Sequence, residues 1–156
     1  MDRILVVVRH AKSDWQHDLV DEERPLAPRG RREAPLIGPW VAANVGDLDL
    51  VVCSTAVRTR ETLALSGLAA ATTRFDERVY AAAYQDLMSV LDEVPDDVAR
   101  TAVIGHNPGL SDLVRVLTNE PVELKTAAVA VLTWRGGWPD VWSRRASLVS
   151  HATLRG

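Results

Sequence analysis

Short, unbroken runs of apolar and β-branched residues recur along this chain of 156 residues, and the first three each give way within two residues to a polar or basic one. They occupy 4–8, 50–53, 101–104, 128–134 and, more weakly, 146–150. Continuous apolar runs of this length read as strands buried on both faces. Helical periodicity fills the gaps. Residues 57–71 carry Leu63, Leu65 and Leu68 among good helix formers, 86–94 align Leu87, Val90, Leu91 and Val94, and 110–118 align Leu113, Val114 and Leu117. Strands alternating with helices predict an α/β fold with a mostly parallel sheet. Residues 28–45 also read as helix, with Pro28 suited to the first turn. Pro35 and Pro39 fall inside that helix, so it is expected to bend or start late.

Composition sets the frame for these elements. Apolar residues are 47% and charged residues 25% of the chain, which excludes disorder. At this length a single domain over residues 1–156 is expected, burying roughly 70% of its unfolded surface. A net charge of −3 gives no global electrostatic case for nucleic acid. Cys53, the single cysteine, has no internal disulfide partner and reads as a small buried hydrophobe. The longest apolar run is far too short to span a membrane, and no secretory leader pattern opens the chain, so the cytoplasm is the expected location. Of 18 basic residues only Lys12 and Lys125 are lysines. Genome bias suffices to explain that, yet any basic site here is a guanidinium site.

The strand ends carry the chemistry. The first run leads into Arg9-His10-Ala11-Lys12-Ser13. The second leads into Ser54 and a helix with Arg58 in its first turn, and the third into Gly105-His106-Asn107-Pro108-Gly109. Taken singly, each has a bland alternative: a solvated histidine, a helix-surface arginine, a helix cap at Ser54. Parallel strands, however, bring their carboxyl ends to one edge of the sheet, where ligands of open α/β sheets bind. Two arginines and two histidines then converge with no carboxylate among the four, a composition suited to a phosphoryl group. A helix N-terminus beside Arg58 adds outward N–H groups. His17 and His151 have no such context and are expected at the surface.

VVVRHAKS at 6–13, ERPLAPRGRREA at 23–34, CSTAVRTRET at 53–62 and VIGHNPG at 103–109 resemble, in order and over nearly the whole chain, the histidine phosphatase superfamily. That resemblance implies the phosphoglycerate-mutase-like fold, a three-layer sandwich with helices flanking the central sheet. The short length and the RHAKSDW and GHNPG wording resemble the compact SixA-type phosphohistidine phosphatases. The family pattern makes His10 the nucleophile that becomes phosphorylated. It makes Arg9 and Arg58 the clamp on the phosphoryl oxygens, His106 the group completing the pocket, and Ser13 a further phosphate donor. Where the family has Gly after the Arg-His pair, Ala11 stands here, and its methyl group fits if the backbone φ is negative.

The chemistry is coherent without the resemblance. Phosphoryl transfer asks for positioning and positive charge around three equatorial oxygens. Two guanidiniums near a neutral imidazole disfavour its protonation and keep it a nucleophile. They also supply the neutralisation that Mg²⁺ supplies elsewhere, so neither metal nor cofactor is expected. Relatives that cleave phosphoesters use a carboxylic acid to protonate the leaving oxygen. Glu77 is the candidate here, with Asp76 beside it, although both also read as solvated charges; Asp86 reads as a helix cap. A phosphohistidine leaves as imidazole and needs little acid help. The stretch 72–102 leaves little room for an inserted lid, which implies an open site suited to a phosphorylated side chain. Asp14, Asp18, Asp21, Glu22 and Glu23 flank the mouth, either as a solvated loop or as a charged surface that selects a partner.

The sequence therefore leads to a metal-independent phosphatase of protein phosphohistidine, with no nucleic-acid or membrane partner. The alternatives are a phosphatase of small phosphoesters and a non-catalytic phosphate-binding module. Trp134, Trp138 and Trp142, three within nine residues, are expected to pack on the core and would mark an interface if exposed.

Overall fold

A computed structural model describes residues 1–16, 18–143 and 145–155. Its six strands form one sheet in the order β3-β2-β4-β1-β5-β6. They are β1 (Asp2–Arg9), β2 (Leu48–Cys53), β3 (Ala70–Phe75), β4 (Arg100–Gly105), β5 (Ala128–Arg135) and β6 (Ser147–Thr153). β3, β2, β4 and β1 run parallel, β5 pairs antiparallel with β1, and β6 pairs antiparallel with β5. The sheet is mostly parallel, as expected, with an antiparallel margin that the apolar runs alone did not disclose.

Alternation along β1 divides the core. Val6 and Val8 face one layer with Val51, Ala102 and Ile104. There they pack with Ala34, Ile37 and Val41 of the segment holding α1 (Pro28–Glu33) and α2 (Ile37–Asn44). Leu5 and Val7 face the other layer with Val103. That layer holds Leu87 and Leu91 of α4 (Tyr84–Asp92) and Leu113 and Leu117 of α5 (Gly109–Thr118). α3 (Val57–Ser66) lies with the first layer, and Leu63 and Leu65 pack against it. This is the expected three-layer sandwich.

The proline-bearing helix bends as expected: a 3₁₀ turn at Ala34–Leu36 separates α1 from α2. Gly30 in α1 allows the helix to lie against the loop after β1, since a Cβ there would collide with the Lys12 backbone. Residues 57–71 required correction. The helix ends at Ser66, where Gly67 takes the left-handed conformation (φ 72°), and the chain then forms the edge strand β3. Ala70, Ala71, Thr72 and Thr73 carry no apolar run, so nothing marked that strand. The weak run at 146–150 is β6, shifted towards the C-terminus.

Trp134 and Trp138 pack edge-on at 5.1 Å inside the core, and the Trp138 indole N–H donates to the Val98 carbonyl. Trp142 is the exception and is half exposed. His151 lies exposed on β6 as expected, and His17 falls outside the described residues. No helix among the described residues is long and apolar enough to cross a membrane.

Candidate active site

Register places the four expected residues together. Arg9 pairs with Gly105 across β1 and β4, and Cys53 pairs with Ile104 across β2 and β4. The lacing continues past the strands: His10 N–H donates to the Gly105 carbonyl (3.2 Å), and Ser54 N–H donates to the Ile104 carbonyl (3.0 Å). His10, Ser54 and His106 thus stand side by side at the carboxyl edge. The His10 and His106 rings lie 5.3 Å apart between centroids. Arg58 enters from the first turn of α3. Ala11 N–H donates to Thr62 Oγ1 (3.1 Å) and ties the loop after β1 to that helix. Ala11 is not among the described residues with positive φ, so its methyl group is accommodated.

A cavity of about 370 Å³ opens here, lined by Arg9, His10, Ser13, Arg58 and His106. Asp21, expected at the flank of the mouth, lines it too, as do Lys12, Trp15, Arg24, Tyr80 and Asn107, which the sequence did not assign to the site. Arg9 is fixed by donating from Nη1 to the Leu124 carbonyl (3.0 Å), and Asn107 Nδ2 donates to the same carbonyl (2.6 Å). Ser13 Oγ accepts from Arg24 Nη1 (2.9 Å), so it helps fix a third guanidinium. Arg24 also stacks on Trp15, 3.4 Å from the ring centroid.

Hydrogen-bond accounting sets the imidazole tautomers. His10 Nδ1 lies 2.7 Å from the Ala11 carbonyl, which can only accept. Nδ1 therefore carries the proton, and Nε2 keeps its lone pair. His106 Nε2 lies 2.7 Å from Ser54 Oγ, which already accepts the Ala56 N–H. If Ser54 donates to Nε2, only the His106 Nδ1–H remains without a partner. If the imidazole donates instead, the buried Ser54 proton is stranded as well, at a cost of about 1–3 kcal/mol. The accounting favours a His106 Nδ1–H donor. Ser54 is thus a partner of His106 rather than the cap of α3, which falls on Ala56. Six buried side-chain polar atoms among the described residues lack a partner, and three of them are Arg9 Nε, Arg58 Nε and His106 Nδ1. All three belong to residues that line the cavity, whose positive charge suits an anion.

Burial pushes the His10 imidazole down to about 4. The charges of Arg58, Arg9 and Arg24 act in the same direction, and the Ala11 hydrogen bond opposes them. Burial likewise pushes His106 down to about 3, helped by His10, Arg58 and Arg9 and opposed by Asp21. Burial thus outweighs the guanidinium charges that the sequence singled out. The unfolded chain, with ordinary histidines, binds more protons below pH 6.5 than the folded one does, so stability falls as pH drops from 6.5 towards 4. By pH 5 the loss is on the order of 2 kcal/mol per imidazole. Thermal melts from pH 7 to pH 5 are expected to show this decline, and His106→Asn to flatten it. An unchanged slope in that variant would remove His106 as its source.

The expected general acid does not reach the cavity. Asp76 Oδ1 accepts the Arg78 N–H (2.9 Å) and caps a 3₁₀ turn at Glu77–Val79, on which Glu77 is exposed and clear of the cavity lining. That turn delivers Tyr80 instead, edge-on to His106 at 5.5 Å. The Tyr80 hydroxyl donates to Asp21 Oδ2 (2.7 Å). Asp86, read as a cap, accepts the Ala83 N–H (2.9 Å) at the start of α4.

A cavity at the carboxyl edge of an α/β sheet, lined by three guanidiniums and two neutral imidazoles, defines a protein that handles phosphoryl groups. The chain belongs to the histidine phosphatase superfamily (branch 1), whose family model matches residues 5–109, and it is a phosphatase of that superfamily. An uncharacterised protein of Mycobacterium tuberculosis is 42% identical, with 95% of this chain and 100% of that protein covered. A structure from Nakamurella multipartitia, described as a candidate phosphohistidine phosphatase SixA, has a TM-score of 0.89 at 30% identity and covers 99% of this chain and 97% of that one. The protein histidine phosphatase SixA complexed with tungstate shares the fold, with a TM-score of 0.82 at 20% identity over 96% of each chain.

Proposed function

We propose that this protein is a metal-independent phosphatase that removes the phosphoryl group from phosphohistidine on a protein, by way of a phosphorylated His10. The observation that carries this reading is the cavity's carboxylate. Asp21 is the only one among the described lining residues, and the Tyr80 hydroxyl, with Arg58 and Arg24, holds it ionised at about 2. It has no proton to give a leaving alkoxide near neutral pH. An imidazole leaving group needs little such help.

In the first step the lone pair of His10 Nε2 attacks phosphorus. The P–N bond of the substrate breaks, and its electron pair leaves with the substrate imidazole, which takes a proton from solvent. In the second step water attacks the phosphorus on His10. The P–Nε2 pair returns to the ring, and inorganic phosphate departs with the oxygen of that water. Arg9 and Arg58 neutralise the equatorial oxygens, and His106 Nδ1–H donates to one of them. The SixA description of the relative from Nakamurella multipartitia accords with this substrate. So does the short segment between β3 and β4, which holds a 3₁₀ turn and α4 and no inserted lid.

The test is phosphate release in EDTA from a phosphohistidyl protein and from p-nitrophenyl phosphate, at equal enzyme. Strong preference for the phosphohistidyl protein, undiminished by EDTA, is the expected result. Better turnover of the aryl ester would put a phosphatase of small phosphoesters in its place, and loss of activity in EDTA would refute the metal-free mechanism.

A further inference from the structure

Asp21 is anomalous in a site built for an anion. It sits in a 3₁₀ turn at Asp21–Glu23, within the segment that joins the loop after β1 to α1. Four hydrogen bonds from side chains hold it. Arg58 donates from Nη1 to its carbonyl (2.7 Å) and from Nη2 to Oδ2 (3.0 Å). Tyr80 donates to Oδ2 and Arg24 Nε to Oδ1 (3.1 Å). The neighbouring Glu22 accepts from the Thr55 hydroxyl (2.7 Å) and latches the same turn to the start of α3. The carboxylate is thus fixed from both sides and cannot swing away from an incoming ligand, yet its side chain stays 49% exposed at the cavity.

We propose that Asp21 selects substrates by charge, admitting a phosphoryl group on a neutral or cationic carrier and disfavouring one that bears a second anionic group close to phosphorus. The inference rests on the reading of the cavity as a phosphoryl site and deepens it by naming the class of carrier. The phosphoryl group itself tolerates Asp21 because Arg9, Arg24, Arg58 and Lys12 outnumber it. A carboxylate attached a bond or two from phosphorus has no such balance. It enters the cavity that the fixed Asp21 carboxylate lines, where Arg58 and Arg24 already serve Asp21. Placing a like charge against the wrong ligand is a general route to specificity. An imidazole or a peptide backbone carries no such charge, whereas many small phosphorylated acids do.

Binding tests this without turnover. Phosphonoacetamide and phosphonoacetate match in size and differ in the charge of one group near phosphorus. Their dissociation constants are to be measured by calorimetry at one pH and one low ionic strength. The protein is expected to bind phosphonoacetamide about tenfold more tightly, a preference of about 1.4 kcal/mol. Asp21→Asn is expected to abolish that preference, while Glu22→Gln, which alters a carboxylate outside the cavity lining, keeps it. A purely structural latch would weaken both ligands together in Asp21→Asn and leave their ratio intact, which would overturn the proposal. Equal binding of the two ligands by the unaltered protein would overturn it too. If neither ligand binds, the phosphoryl-site reading itself falls, and the proposal with it.

Discussion

His10→Ala is expected to lower turnover by about 10⁴-fold or more, because it removes the atom that forms the bond to phosphorus. The geometry makes this effect specific. His10 Nδ1 is committed to the Ala11 carbonyl, so the reactive lone pair lies on Nε2 and on no other imidazole nitrogen of that ring. His106 does not substitute, since its Nε2 is engaged by Ser54 and its remaining nitrogen is the proposed N–H donor. The guanidiniums survive the substitution, so inorganic phosphate is expected to bind within a few-fold of its original affinity. Two measurements check the assignment. The unaltered protein, quenched during turnover, should carry one phosphoryl group that is labile to acid and stable to base, and the variant should carry none. Turnover by His10→Ala within tenfold of the original would refute the covalent mechanism.

Arg58→Lys is expected to cost about 10²–10³-fold in kcat/KM, carried mainly by kcat. A lysine keeps the charge but presents one point instead of a planar fork. Arg58 spends two of its five N–H groups on Asp21, one from each Nη, and the second hydrogen of each Nη remains. One guanidinium can therefore anchor itself and grip an oxygen at the same time. An ammonium at that position has to choose between Asp21 and the phosphoryl group. Arg58→Ala is expected to lose at least as much. The fold should persist in both variants, since α3 packs on the core through Leu63 and Leu65, which neither change touches. A fall below threefold in Arg58→Lys, with an unchanged melting temperature, would show that Arg58 does not contact the reacting group.

Legibility in the sequence followed a physical rule. Arg9, His10, Arg58 and His106 each stand within a few residues of the end of a buried strand. Their positions follow from two local facts, the apolar run and the parallel direction it implies. Their meeting then needs only that β1, β2 and β4 be neighbours, which backbone pairing enforces. Asp21, Arg24 and Tyr80 obey no such rule. They lie on irregular segments, and nothing periodic connects Asp21 with Tyr80, 59 residues away. Glu77 shows the same limit from the other side. It is one residue from Asp76, and the capping of a single turn decided that Tyr80, three residues on, reaches the cavity. β3 escaped notice because an edge strand of alanines and threonines lacks the apolar signature of a buried one.

The sequence by itself determined the α/β class, the carboxyl-edge location of the site, and the two arginines and two histidines that meet there. These depend on strand periodicity and on the residue that follows each strand, information carried within a few positions of the chain. Only the tertiary structure decided the antiparallel margin, the tautomers of His10 and His106, the depth of burial that keeps both rings neutral, and the carboxylate among the cations. Each of these arises from groups far apart in sequence competing for one space and one set of hydrogen bonds, and no local pattern records the outcome.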